Sequence, residues 1–207
     1  KHDPGVSGEI IARAKATIDR DRNRPCIILW SHGNETAIFP SHEDVLRFTG
    51  RYDPSRLRIV PQTSGNYSIY MNNPPEYIDV LSVHYAGEPV FEEHEARATL
   101  PLVNTEYAHS LGTAMGDLEA RYETFRKASR IAGGSIWCYQ DQSILTRNFN
   151  QGNQVLKGVR IDSVRFIDNY GLNPAPPGSK EIRKEGADGI VYGDGYPQED
   201  YFAVAQV

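Results

Sequence analysis

The chain has 207 residues, 39% of them hydrophobic, which is enough for one large domain, or one and a fraction, with a real core. Its formal charge of −5 argues against a nucleic-acid or anionic-membrane surface, because such partners need clustered Lys and Arg. No stretch approaches the roughly 20 apolar residues that cross a bilayer, and the start, Lys1-His2-Asp3-Pro4-Gly5, lacks the basic-then-apolar layout of a signal peptide, which leaves the compartment open.

Residues 8–21 set Ile10, Ile11, Ala14 and Ile18 at helical spacing behind Ser7, and Asn23 and Pro25 stop the pattern. The run 26–30 is short and continuously apolar, as in a parallel strand covered on both faces. Cys26 opens it, and Cys138 sits in the later run Ser135-Ile136-Trp137-Cys138-Tyr139. Both read as small core residues rather than as disulfide partners. At 41–51, Ser41 and Asp44 have capping-box-like spacing while Val45, Leu46 and Phe48 supply an apolar side, which predicts a helix.

Residues 57–60, 78–85 and 100–105 read as strands rich in Val, Ile, Leu or Tyr. Between the last two, Glu92-Glu93-His94-Glu95 lacks the spacing of a helical zinc motif and reads as a charged loop. Met115, Leu118, Tyr122 and Phe125 then repeat at three and four, with Asp117 early and Arg126, Lys127 and Arg130 late, as suits a helix dipole. Gly133-Gly134 is expected to end that helix, and 135–139 to form a last strand. Beyond Gln140 the periodicity fades into a loop-dominated tail, turn-rich at Asn173-Pro174-Ala175-Pro176-Pro177-Gly178. The alternation of strand and helix predicts βα units in a parallel sheet, with about five strands where a closed (β/α)₈ barrel needs eight and about 250 residues.

Of 27 acidic residues, most fall on helix faces or in turns, where a solvated charge explains them. Glu35 and Glu106 differ. Glu35 ends Ile27-Ile28-Leu29-Trp30-Ser31-His32-Gly33-Asn34-Glu35, and Glu106 ends Pro101-Leu102-Val103-Asn104-Thr105-Glu106, so each follows a predicted strand at its C-terminal end. A parallel barrel gathers those ends on the face that carries active sites. Two carboxyls facing each other there are the minimum apparatus for glycoside hydrolysis: one protonates the leaving oxygen, and the other attacks or activates water. A serine hydrolase of the α/β type is excluded by the lack of a Gly-x-Ser-x-Gly elbow.

The segment from Asp19 through the Arg- and Asn-rich turn to Gly33-Asn34-Glu35 resembles the acid/base segment of glycoside hydrolase family 2. Glu106-Tyr107-Ala108-His109-Ser110-Leu111-Gly112 is similar to that family's nucleophile segment in its β-galactosidase form. Gly133-Gly134-Ser135-Ile136-Trp137-Cys138-Tyr139-Gln140-Asp141-Gln142-Ser143 is similar to its last barrel strand. The likeness is good over residues 10–145 and weak in the tail. It implies an α/β fold, the C-terminal part of a (β/α) TIM barrel (about strands 4 to 8), over residues 1–145, with a loop-rich, barrel-closing tail over 146–207.

The resemblance implies retaining hydrolysis of terminal β-linked galactosides, with Glu35 as general acid/base and Glu106 as nucleophile. It implies that Asn34 bonds the sugar 2-hydroxyl, Tyr85 bonds the nucleophile, His109 contacts the galactosyl hydroxyls and Trp137 forms an apolar platform beneath the ring. It also implies that Glu35 is one ligand of a Mg²⁺ ion whose other protein ligands come from an earlier strand not present here, and that no organic cofactor takes part. The implied partners are a β-linked oligosaccharide or glycoside, the remainder of the barrel and N-terminal β-domains, with unpaired edge strands inviting a further copy of the chain. His32 and Cys138 depart from the family's usual residues. β-Glucuronidases and β-mannosidases share Gly-Asn-Glu and the barrel, so the sugar stays open, as does a barrel fragment inactive by itself; Ala108-His109-Ser110 favours galactose.

Overall fold

The structure is a computed structural model that describes residues 4–35, 39–59, 70–109, 118–140, 189–191 and 197–207. Among them the order is α1 (Pro4–Asp21), β1 (Leu29–Ser31), α2 (Pro40–Tyr52), β2 (Leu57–Ile59), β3 (Leu81–His84), α3 (Glu88–Arg97), β4 (Leu102–Tyr107), α4 (Leu118–Lys127), β5 (Ile131–Ile136) and α5 (Glu199–Val204). They form two compact units, Lys1–Thr105 with Phe125–Gly134, and Glu106–Thr124 with Ser135–Val207.

In the first unit α1 buries Ser7, Ala14, Ile18 and Asp21, which share one helical face. It is fastened to α2 by Ser7 Oγ donating to Asp44 at 2.7 Å and Tyr52 Oη donating to Asp19 at 2.6 Å. Strands β1 and β2 pair in parallel, Trp30 opposite Arg58. The N–H groups of Asp79 and Val80 both reach the Arg58 carbonyl, at 3.1 and 3.3 Å, and carry the order on towards β3. Leu81 N–H then donates to Pro101 O at 2.9 Å and Leu102 N–H to Arg130 O at 2.9 Å, giving β3-β4-β5. All four residues of β3 are buried, as expected of a strand covered on both faces. The core joins Leu46, Met71, Leu81, Val83, Phe91 and Leu102 from successive strands and helices. Each such side chain is worth about 1.5–3 kcal/mol when fully buried.

The molecule departs from the sequence expectations in its first strand, its cysteines, its third helix and its paired glycines. The first strand is confined to Leu29–Ser31: Cys26 lies in an exposed turn and Ile28 is 72% exposed. That turn is held by polar bonds, not packing, since Arg56 donates to Ile27 O at 2.8 Å and to Arg22 O at 2.5 Å. Cys138 is half-buried, and no disulfide joins it to Cys26. The charged loop is a helix, α3, which starts at Gly87-Glu88-Pro89, with the proline in its first turn, and buries Phe91 and His94 on one side. Gly133-Gly134 does not end α4 but lies inside β5. The chain leaves α4 earlier, at Ala128-Ser129-Arg130, where Glu95 accepts from Ser129 N–H at 3.1 Å, Ser129 Oγ at 2.8 Å and Arg130 N–H at 2.6 Å. Arg130 therefore belongs to the turn.

In the second unit the chain after β5 is joined by a late segment: Ile190 N–H donates to Cys138 O at 3.0 Å and Val191 N–H to Tyr139 O at 2.9 Å. Ile190 and Val191 are both buried, and Gln198 N–H returns to Ile190 O at 3.0 Å just before α5. The tail thus carries a helix that the reading of loops missed. Met115, Asp117 and the turn-rich passage 173–178 lie outside the described residues.

Candidate active site

The turn that carries Glu35 is built outward from β1. Trp30 is buried, and its Nε1–H donates to Asp53 at 2.9 Å. His32 N–H continues the ladder to Ile59 O at 3.0 Å, while its ring Nε2 lies 3.0 Å from Thr49 Oγ1, a fully buried hydroxyl on α2. Burial, reinforced by the neighbouring His42, pushes the His32 imidazole down to about 4, so it is neutral near pH 7. Gly33 then takes φ of +82° and Glu35 φ of +48°. The chain enters the left-handed region twice in three residues, once without a glycine, and such strain persists only where the surroundings impose it.

Glu35 ends that turn with its side chain 45% exposed, and its Oε1 lies 3.0 Å from Nδ1 of His84, whose side chain is 1% exposed. His84 is the last residue of β3. The next residue, Tyr85, has φ of +49° and is 44% exposed, its ring edge-on to the imidazole at 6.1 Å between centroids. Between the neighbouring strands β3 and β4, Thr105 Oγ1 donates to Val83 O at 3.2 Å. Glu106, the residue after Thr105, is 8% exposed.

Beyond Glu106 the chain leaves β4 through Ala108, with φ of +50°, to the half-buried His109. Trp137 N–H donates to Tyr107 O at 2.9 Å, so the half-buried tryptophan directly follows β5 beside the end of β4. Burial, and secondarily Tyr122, raise the Tyr107 phenol above its ordinary value. Asn34 is exposed on the Glu35 turn.

The expected residues therefore stand at strand ends: Asn34 and Glu35 beyond β1, Tyr85 beyond β3, Glu106 and His109 at the end of β4, and Trp137 beyond β5. Direct contact joins Glu35 to His84, a residue the sequence marks only as part of a strand. Its signal was available: a histidine closing an apolar strand buried on both faces must find a polar partner.

As to Mg²⁺, an octahedral, oxygen-rich site is needed, whereas the contact to Glu35 comes from an imidazole nitrogen. Glu35 would supply one oxygen to such a site, and the pair alone does not complete it.

A family profile described as glycosyl hydrolases family 2, TIM barrel domain, matches residues 1–202. Relatives include a β-galactosidase of Vibrio cholerae, 30% identical over 156 residues that make up 69% of this chain and 14% of that protein. Another is a β-galactosidase of Leuconostoc mesenteroides, 30% identical over 158 residues, 73% of this chain and 15% of that protein. Among solved structures, a β-glucuronidase of Faecalibacterium prausnitzii aligns with a TM-score of 0.63 at 15% identity, covering 97% of this chain and 34% of that one. A β-D-glucuronidase of Dictyoglomus thermophilum gives 0.58 at 13%, covering 97% and 35%. The structural likenesses carry the fold alone. This chain thus spans about a seventh of the length of the β-galactosidases it matches.

Proposed function

The chain belongs to the glycosyl hydrolases family 2, as part of that family's TIM barrel domain, and from this premise we propose that it carries both catalytic carboxylates of a retaining β-galactosidase. Glu106 is the nucleophile and Glu35 the general acid/base. The observation that supports this best is positional: β1, β3, β4 and β5 are followed or ended by Glu35, Tyr85, Glu106 and Trp137 respectively, and a parallel barrel works at its C-terminal strand ends.

Glu106 attacks the anomeric carbon as Glu35 gives its proton to the glycosidic oxygen, which leaves as the alcohol. Water then loses a proton to Glu35 and displaces Glu106 from the glycosyl carbon, restoring both carboxyls and the anomeric configuration. Asn34 bonds the 2-hydroxyl, Tyr85 steadies the nucleophile, His109 reads the sugar hydroxyls and Trp137 lies beneath the ring. Glu35 stands as one candidate ligand for Mg²⁺, and no step is routed through a metal ion. At 14–15% of the length of its β-galactosidase relatives, the chain works as one portion of a larger catalytic body that includes the remaining strands.

The names of the 30%-identical relatives favour galactose as the sugar. The test is a panel of aryl β-galactosides, β-glucuronides and β-mannosides turned over by the whole protein, beside its Glu106→Gln variant. The expected result is selective turnover of the galactoside, lost in the variant while its fold is kept; full activity of the variant rules the assignment out.

A further inference from the structure

We propose that His84 is a positioning residue that divides the labour between the two oxygens of Glu35: its Nδ1–H holds Oε1, and Oε2 alone carries the proton to and from substrate. This rests on the reading of Glu35 as the acid/base. The contact is 3.0 Å and links residues 49 positions apart. The two partners differ sharply in freedom. The Glu35 side chain is 45% exposed on a turn beyond β1, whereas that of His84 is 1% exposed at the end of a strand with every residue buried.

The imidazole is a fixed post. The carbonyl before it, Val83 O, takes the Thr105 hydroxyl, and the Tyr85 ring stands edge-on to it. An exposed glutamate samples several rotamers, and a general acid must meet the leaving oxygen at hydrogen-bond distance, so tethering one oxygen to a fixed donor removes that search before substrate arrives. An Nδ1–H donor can serve Oε1 whether Oε2 is protonated or ionised, so the tether persists through both half-reactions. In the first, Oε2–H gives its proton to the glycosidic oxygen; in the second, Oε2 takes a proton from water. His84 gives up no proton in either.

The two amide side chains separate this role from packing. In His84→Asn the amide N–H stands where Nδ1–H stood; in His84→Gln it stands where Nε2 stood. In the whole protein, kcat/KM is measured for a glycoside whose leaving oxygen must be protonated, such as a disaccharide, and for the 2,4-dinitrophenyl glycoside, whose leaving group needs no proton. Each is also measured with Glu35→Gln present. His84→Gln should lose roughly 10- to 100-fold on the disaccharide and little on the dinitrophenyl substrate. His84→Asn should recover most of that loss, and neither change should add to Glu35→Gln. Equal losses in both amide variants, equal losses on both substrates, or a further loss in the Glu35→Gln background would overturn the proposal while leaving Glu35 in its role. If Glu35→Gln itself shows no dependence on the leaving group, the acid/base assignment falls, and the role of His84 with it.

Discussion

Trp30 and Asp53, 23 residues apart, are joined by a 2.9 Å indole-to-carboxylate hydrogen bond in a buried setting. Asp53 also accepts from Ser55 N–H and Oγ and from Arg56 Nη1, and Arg56 in turn spans to the carbonyls of Arg22 and Ile27. One carboxylate therefore ties the strand leading to Glu35 to the turns on either side. Burial would raise the Asp53 pKa, but hydrogen bonds from Ser55, Trp30 and Arg56 outweigh it and hold the group below its ordinary value.

Asp53→Ala should cost about 2–4 kcal/mol, because it strands both the Trp30 N–H and the Arg56 charge. Asp53→Asn should cost less, since the amide oxygen still serves the indole. Urea unfolding midpoints of the two variants check the order, and equal costs would show that the charge, not the acceptor, carries the effect.

The turn between α4 and β5 depends on Glu95, which gathers three donors from Ser129 and Arg130. Glu95→Ala should destabilise by about 1–2 kcal/mol, with Glu95→Gln intermediate. Gly134→Ala, at an exposed strand position, should be nearly neutral. A larger loss at Gly134 than at Glu95 would restore the glycines as the element that ends the helix.

These two regions mark how far the sequence could be read. Helix α2 was legible because Val45 and Leu46 are apolar, adjacent in pattern and fully buried. Strand β3 and the end of β4 were legible because short segments rich in Val, Leu and Ile are bounded by turn residues. Helix α3 was not, since its buried face is only Phe91 and His94, and a histidine does not register in a hydrophobic pattern. Gly133-Gly134 misled because the helix already ends at Lys127 and the turn after it is held by Glu95, a contact from a distant part of the chain that leaves no local trace. In the site, Glu35 and Glu106 stood out by their place after strands, while the bond from Glu35 to His84 spans 49 residues and leaves no local trace.

His32 links stability to pH. In the unfolded chain an imidazole titrates near its model value of 6.5, and in the fold His32 is depressed to about 4, first by burial and then by His42. The folded state binds fewer protons between those values, so its stability is fully present above about pH 6.5 and declines as pH falls towards 4. Replacing His32 by Gln should flatten that part of the stability curve. Unfolding midpoints at pH 7.5, 6, 5 and 4 for both proteins test this, and parallel curves would show that other groups set the acid limb. Asp19, Asp21, Asp53 and Asp79, all held below ordinary carboxylate values by hydrogen-bonded partners, lose their contribution at lower pH.

Gly33 offers a graded test of the turn before Glu35. At φ of +82° it occupies the left-handed region, where glycine pays no steric penalty, asparagine a small one, and alanine or a β-branched residue more. Stability should fall in the order Gly, Asn, Ala, Val, with Gly33→Ala costing about 1–2 kcal/mol. Because Glu35 follows two residues later and is itself left-handed, any relaxation of that strain rotates the carboxylate away from His84. The kcat/KM of substrates whose leaving group needs protonation should therefore fall further than stability predicts, while kcat/KM for 2,4-dinitrophenyl glycosides, which reports only the first step, is spared. A variant that loses stability and keeps the same ratio between the two substrates would mean that the turn can relax without moving Glu35, and that the left-handed backbone there serves folding alone.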